Sequence, residues 1–252
     1  MVTRPAGVAS NALCAAVGAA GYAVYSQPLL ELQELPELPV TQRQMLLNLD
    51  QYQHIIFIST NAVRFGMALV QDYWPQLPVG LNWFAIGSAT AASLEPYGIE
   101  ALTPGAAMTS EGLLALPILN NVRDQRVLIV KGEGGRDTLT RELSLRGAAV
   151  EEFACYRRCI PKMPPEELAS RLAGWAIDVI MISSGEGLAN LRVLLSPAET
   201  TKLKHTGLIV PSERVAKMAF EAGFDNIVTA ENASDAAMLD ALKKWPPELE
   251  SD

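Results

Sequence analysis

Short apolar runs that do not alternate with polar residues constrain this chain more than any other feature. Residues 54–59 (HIIFIS), 81–86 (LNWFAI), 126–131 (RVLIVK), 178–183 (DVIMIS) and 206–210 (TGLIV) are of this kind. A strand with one wet face alternates, whereas a strand apolar on both faces must be covered on both. Each run gives way to a turn and then to helical periodicity, over 61–73, 89–97, 137–146, 187–195 and 213–222. Repeated strand–helix units predict an α/β fold with parallel sheets flanked by helices.

The units also recur. HIIFISTNAVRFGMAL begins at His54 and DVIMISSGEGLANLRVLL at Asp178. Each is a strand, a Ser-Thr or Ser-Ser pair, then a helix. The next units, from Leu81 and Thr206, match in the same way. Each runs through a glycine (Gly98 or Gly223) into a short strand and a final helix starting near Ser110 or Ser234, good capping residues. A third pair links Val2-Thr3-Arg4-Pro5 with Leu128-Ile129-Val130-Lys131, although the opening strand is very short. The 252 residues therefore read as two similar domains of about 120 residues, each built from three units. Segments 26–37 and 151–161 are left over at matching positions. Both look extended, end in prolines, and suit two connections between domains, paired as a two-stranded linker. Residues 12–24 read as an Ala-rich helix ending at Gly21, not as a signal-peptide core, and are too short and interrupted to span a membrane. The acidic, Pro-rich tail 245–252 reads as a frayed end.

A net charge of −8 argues against nucleic acid and anionic lipid as partners, since both attract a positive surface. Cys14, Cys155 and Cys159 form no CxxC pair. Four residues of strand span about 13 Å, too far for a Cys155–Cys159 disulfide. A reducing, cytoplasmic setting is expected. The two histidines, His54 and His205, lie outside any cluster with ligand spacing, so no metal site is expected. No long apolar edge or coiled-coil seam stands out, so a monomer is expected.

The familiar catalytic signatures are missing. The GEGGRD run at 132–137 departs from GxGxxG at its last position, and there is no GxxxxGK[ST], HExxH or GxSxG. What remains is a set of strand-to-helix turns rich in hydroxyl and glycine residues: Thr3-Arg4, Ser59-Thr60-Asn61, Gly87 to Thr90, Lys131-Gly132 to Arg136, Ser183-Ser184 and Ser212 to Arg214. In a parallel sheet such turns lie at the carboxyl ends of the strands, where ligands bind. Each offers free helix N–H groups and a positive dipole end to an anion. The plainer account makes Ser, Thr and Asn simple N-caps, and the arginines solvated surface charge. Tyr156, in the second leftover segment beside Arg157-Arg158, is a proton donor on one account and a packed amphipathic aromatic on the other.

At these residues the chain resembles a known family. Thr3-Arg4-Pro5, FISTNAV from Phe57, AIGSATA from Ala85, KGEGGRD from Lys131, Phe153 through Arg157 and the segment 230–242 are together similar to the uroporphyrinogen-III synthases. The resemblance covers essentially the whole chain. It implies two domains, one of residues 36–151 and one of 1–25 plus 161–252, with 26–35 and 152–160 as the linker strands and the site in the cleft between domains. It implies cyclisation of the linear tetrapyrrole hydroxymethylbilane, with inversion of the last pyrrole ring, loss of water and no cofactor. On that resemblance Tyr156 is the catalytic acid. Thr3, Arg4, Ser59, Thr60, Asn61, Gly87, Thr90, Lys131, Gly132, Arg136, Ser183, Ser184, Ser212 and Arg214 would hold the substrate's carboxylates, largely through backbone N–H. Where many relatives repeat an Ile-Gly-x-x-Thr pattern, this chain has IVPSER from Ile209, so Ser212 or Arg214 would take the threonine's place. The competing reading is a noncatalytic two-domain binder of an anionic metabolite.

Overall fold

A computed structural model describes residues 1–35 and 37–245. The expected fraying of the tail beyond Trp245 lies outside them. In chain order the helices and strands are α1 (Val8–Ala19), β1 (Glu31–Glu34), α2 (Val40–Leu47), β2 (His54–Phe57), α3 (Thr60–Tyr73), β3 (Asn82–Ala85), α4 (Ser88–Ala92), α5 (Ser110–Leu114), β4 (Arg126–Gly132), α6 (Thr138–Leu145) and β5 (Ala149–Cys159). They continue with α7 (Glu167–Gly174), β6 (Val179–Met181), α8 (Gly185–Leu194), α9 (Pro197–Lys202), β7 (Gly207–Val210), α10 (Glu213–Glu221), β8 (Ile227–Thr229) and α11 (Asp235–Lys243). The chain divides into two compact units. One comprises Met1–Glu31 with Cys159–Asp252, and the other Leu32–Arg158.

The unit of residues 32–158 is built on a five-stranded sheet in the order β1-β5-β4-β2-β3, in which β2, β3, β4 and β5 pair in parallel. Successive side chains of a strand point to opposite faces, and here both faces are covered. Ile55, Phe57, Leu128, Val130 and Phe153 pack with Ala62, Val63, Met67 and Val70 of α3. Ile56, Val127 and Ile129 point the other way, to Leu113 and Leu114 of α5 and Leu139 and Leu143 of α6. Continuous apolar runs are what such a sheet requires.

The second unit repeats the arrangement with three parallel strands in the order β6-β7-β8. Ile180, Ile182, Leu208 and Val210 face α7, α8 and α10, while Met181 and Ile209 face α1 and α11. The opening strand is reduced to Val2, which bridges in parallel to both Met181 and Ser26. The short strand expected after Gly98 is likewise a single bridge, Phe84 to Leu102. The helix expected over 89–97 stops at Ala92 and resumes as a 3-10 turn, Glu95–Tyr97, with Pro96 near its start. Proline lacks the N–H that an uninterrupted α-helix needs there.

Most of the leftover segment 151–161 belongs to an 11-residue strand, β5, which pairs with β4 from Ala149 to Tyr156. Tyr156 stands opposite Gly132 in that register, after a bulge between Lys131 and Gly132, so it belongs to the sheet as well as to the connection. All three cysteines are free. Among the described residues no helix is long and apolar enough to cross a membrane.

Candidate active site

The register Phe57–Ala85 and Phe57–Val130 ends β2 and β3 at one edge of the five-stranded sheet, with β4 running two residues further to Gly132. The turns at 59–61, 87–90 and 131–136 therefore emerge side by side. Ser59 is the N-cap of α3, its Oγ accepting the Ala62 N–H at 3.0 Å. Thr60 is exposed and Asn61 half-buried, whereas Thr90 is buried in the first turn of α4. Gly87 is the cap of α4 and carries no side chain to crowd its peptide N–H. Arg64, one turn into α3, lies with its guanidinium 4.2 Å above the Phe65 ring.

Tyr156 is buried at this edge. Its ring stacks on Phe65 with centroids 5.1 Å apart and planes 26° apart. On another side it closes on Gly132, and its carbonyl accepts the Glu133 N–H at 2.8 Å. Phe65 carried no motif signal, because an aromatic at helical spacing reads as core. The neighbouring Arg157 is turned to Glu133, donating at 2.6 and 2.9 Å, and its hydrogen bonds hold that carboxyl below the usual carboxylate range. Cys155 is buried, and that burial pushes its thiol up to about 12, which favours the protonated form.

Lys131 does not face solvent either. It is 4% exposed and donates from Nζ to Glu152 at 2.9 Å. Arg136 is exposed and bounds a cavity of about 290 Å³ together with Lys131, Thr140, Glu152 and Arg158.

The other unit builds a matching edge. The pairing of β6 with β7 ends at Met181 and Ile209, one residue before the end of β7, and Val2 bridges to Met181. Ser184 caps α8 by accepting the Gly187 N–H at 3.1 Å. Beside it the Ser183 hydroxyl oxygen is buried without a hydrogen-bond partner among the described residues. Ser212 is the N-cap of α10 but makes no side-chain capping bond, so its hydroxyl is not spent on the helix. Arg214 reaches back across the start of α8: its Nη1 would lie 3.3 Å from a Cβ built on Gly185, and it sits 3.5 Å from Met218 Sδ. A positive group, two hydroxyls and the N-terminus of a 10-residue helix thus converge.

Thr3 and Arg4 are occupied within the fold. The Thr3 hydroxyl is buried and donates to the Met181 carbonyl at 2.7 Å. Arg4 pairs with Asp235 and donates to the carbonyls of Ala9 and Ala233, pinning the N-terminal segment to the start of α11. No group of three or more His, Cys, Asp or Glu among the described residues has the placement to hold a metal ion.

Residues 11–240 match a family described as "Uroporphyrinogen-III synthase HemD". Uroporphyrinogen-III synthase of Salmonella typhimurium is 36% identical over 245 residues, covering 96% of this chain and 99% of that protein. The Escherichia coli protein of the same name is 35% identical over 248 residues, covering 96% and 99%. Among solved structures, a mutant uroporphyrinogen III synthase of Thermus thermophilus superposes with a TM-score of 0.58 at 20% identity, over 97% of this chain and 100% of that one. The uroporphyrinogen-III synthetase of Helicobacter pylori gives a TM-score of 0.59 at 15% identity, over 87% and 92%. The fold is thus shared with those structures, and on sequence matched from end to end the chain belongs to the uroporphyrinogen-III synthase family.

Proposed function

We propose that this chain is a cofactor-independent lyase of tetrapyrrole biosynthesis. It closes hydroxymethylbilane to uroporphyrinogen III, inverting the terminal ring and releasing water. The observation that carries the reading is the match over 96% of the chain to proteins of that name, with Tyr156 seated at the end of a parallel sheet.

A hydroxymethylpyrrole expels its hydroxyl readily because the ring nitrogen donates electrons as the C–O bond breaks. The departing oxygen needs a proton, and the Tyr156 hydroxyl supplies it as an acid. Closure without inversion is the spontaneous competitor, so the harder task is to hold the chain of rings in one conformation. Many weak anchors do this better than one strong one. The cap peptides at Ser59–Asn61, Gly87, Ser184 and Ser212, with Thr90, Gly132, Ser183, Arg136 and Arg214, supply hydrogen-bond donors and two cations for the acetate and propionate groups. Arg214 and the unspent Ser212 hydroxyl take the part of the threonine missing from IVPSER. Thr3 ties the N-terminal segment to the end of β6 at Met181, and Arg4 ties it to the start of α11.

We infer further that the protein works in the cytoplasm as a monomer. Three free cysteines suit a reducing compartment. Sedimentation of the purified protein tests the second point, and a dimer at micromolar concentration would refute it.

The deciding experiment supplies hydroxymethylbilane and resolves the cyclic isomers. The inverted isomer should dominate. Accumulation of only the uninverted isomer at the uncatalysed rate would end the enzyme reading and leave that of a noncatalytic binder.

A further inference from the structure

The lysine at the end of β4 is tied into a chain of three residues on three elements. Lys131 Nζ donates to Glu152 Oε2 on β5 at 2.9 Å, and the other oxygen of that carboxylate accepts from the Thr140 hydroxyl on α6. The same Nζ lies 3.5 Å from the Arg136 carbonyl oxygen. The network therefore clasps both ends of the turn at 132–137.

That turn needs a clasp. Gly134 and Gly135 are successive residues with φ of +70° and +89°, and glycine gives the backbone its greatest freedom. Another side-chain tether of the turn is the pair Glu133–Arg157, whose side chains are 38% and 51% exposed. Solvent screens such a pair heavily. In the Lys131–Glu152 pair the carboxylate is 36% exposed but the lysine only 5%, so that pair is screened less. The cavity of about 290 Å³ beside the network leaves space for an unclasped turn to collapse into.

We propose that Lys131, Glu152 and Thr140 are positioning residues. They fix the turn at 132–137, and with it Arg136 and the peptide N–H groups that follow Gly132, the residue on which Tyr156 closes, so that they govern the fidelity of ring inversion without touching the substrate. The inference rests on the function proposed above, and one readout is chosen to stand apart from it.

The test compares Thr140→Val, which removes the hydroxyl at nearly constant volume, with Thr140→Ser, which restores it, and with Glu152→Gln. Hydrogen exchange of the Glu133 amide, which donates to the Tyr156 carbonyl, is measured on the substrate-free protein. Thr140→Val and Glu152→Gln should speed exchange there by about tenfold, the loosening that loss of one charge-assisted hydrogen bond allows. Amides of α3 should not change. In the cyclisation assay both variants should raise KM and the share of uninverted product, while Thr140→Ser behaves as the parent. Variants that melt earlier yet keep turn exchange, KM and isomer ratio unchanged would overturn the proposal. If the parent makes no inverted isomer, the functional reading fails, and turn exchange alone decides whether the network is the clasp. Should Glu152→Gln not fold, the valine–serine pair carries the comparison.

Discussion

Tyr156 closes directly on the bare α-carbon of Gly132: a Cβ built there would lie 2.6 Å from the ring carbons Cε2 and Cζ and 3.1 Å from the hydroxyl oxygen. The phenol is held between this gap and the Phe65 ring. Gly132 needs no unusual backbone angle, so its role is purely spatial.

Gly132→Ala should therefore push the tyrosine off its seat. Overpacking of this kind costs about 1–3 kcal/mol. Turnover should fall by about tenfold or more. A crystal structure of the variant would show the ring moved, and an unmoved ring with full turnover would count against the seating argument.

Tyr156→Phe keeps the stack on Phe65 and removes only the hydroxyl. Turnover should drop by at least about tenfold, roughly 1.4 kcal/mol of barrier, with little change in melting temperature. Unchanged turnover would strip the hydroxyl of its role as acid and leave the family assignment intact.

His54 makes the stability depend on pH. Burial lowers its pKa, against the opposing pull of its hydrogen bond to Gln125. Its Nε2 is 2.6 Å from Gln125 Oε1 and its Nδ1 is 3.2 Å from Asn82 Nδ2, a pairing that suits the neutral ring protonated at Nε2. A depressed folded-state pKa contributes stability that is present above the unfolded value near 6.5. That contribution is lost as pH falls through the folded value. The melting temperature should decline on acidification below about 6.5, and His54→Gln should flatten the slope. Equal slopes in the two proteins would refute the assignment.

Ser184 serves both the helix and, on the proposed function, the substrate. Ser184→Ala should cost about 1 kcal/mol of stability through the lost cap, and Ser184→Gly only a few tenths. Both should raise KM alike, because both lose the Oγ that accepts from Gly187 and orders the cap peptide offered to the substrate. A KM that tracks stability instead would reduce Ser184 to a cap.

The strands were legible from the residues because both faces of each sheet are dry: Ile55 and Ile56, or Leu208 and Ile209, are buried on opposite sides. Strand β5 reads as an extended linker segment and not as a core strand, because Glu151 and Glu152 interrupt its apolar run. Each carboxylate is paired across to a neighbour: Glu151 with Arg126 and Tyr52, Glu152 with Lys131. Local sequence carries no sign of such partners. The partner of Arg4 was hidden for the same reason, since Asp235 sits at the far end of the chain. The turns were readable as a class, because cap chemistry is local. Which hydroxyls remain unspent, Ser183 and Ser212 but not Ser59 or Ser184, emerges only from the fold.

One unit is a single stretch, 32–158, while the other joins 1–31 to 159 onward, with Val2 bridging to Met181 and the Met1 amine donating to the Val179 carbonyl. On the ribosome these two halves meet late. At roughly 5–20 residues per second, the first 31 residues wait on the order of ten seconds while the contiguous unit is synthesised. During that interval Leu13, Val17 and Leu29, all buried in the finished protein, have no core to enter. The nascent chain thus carries a sticky N-terminal arm, and that arm is where aggregation or chaperone capture during synthesis would begin.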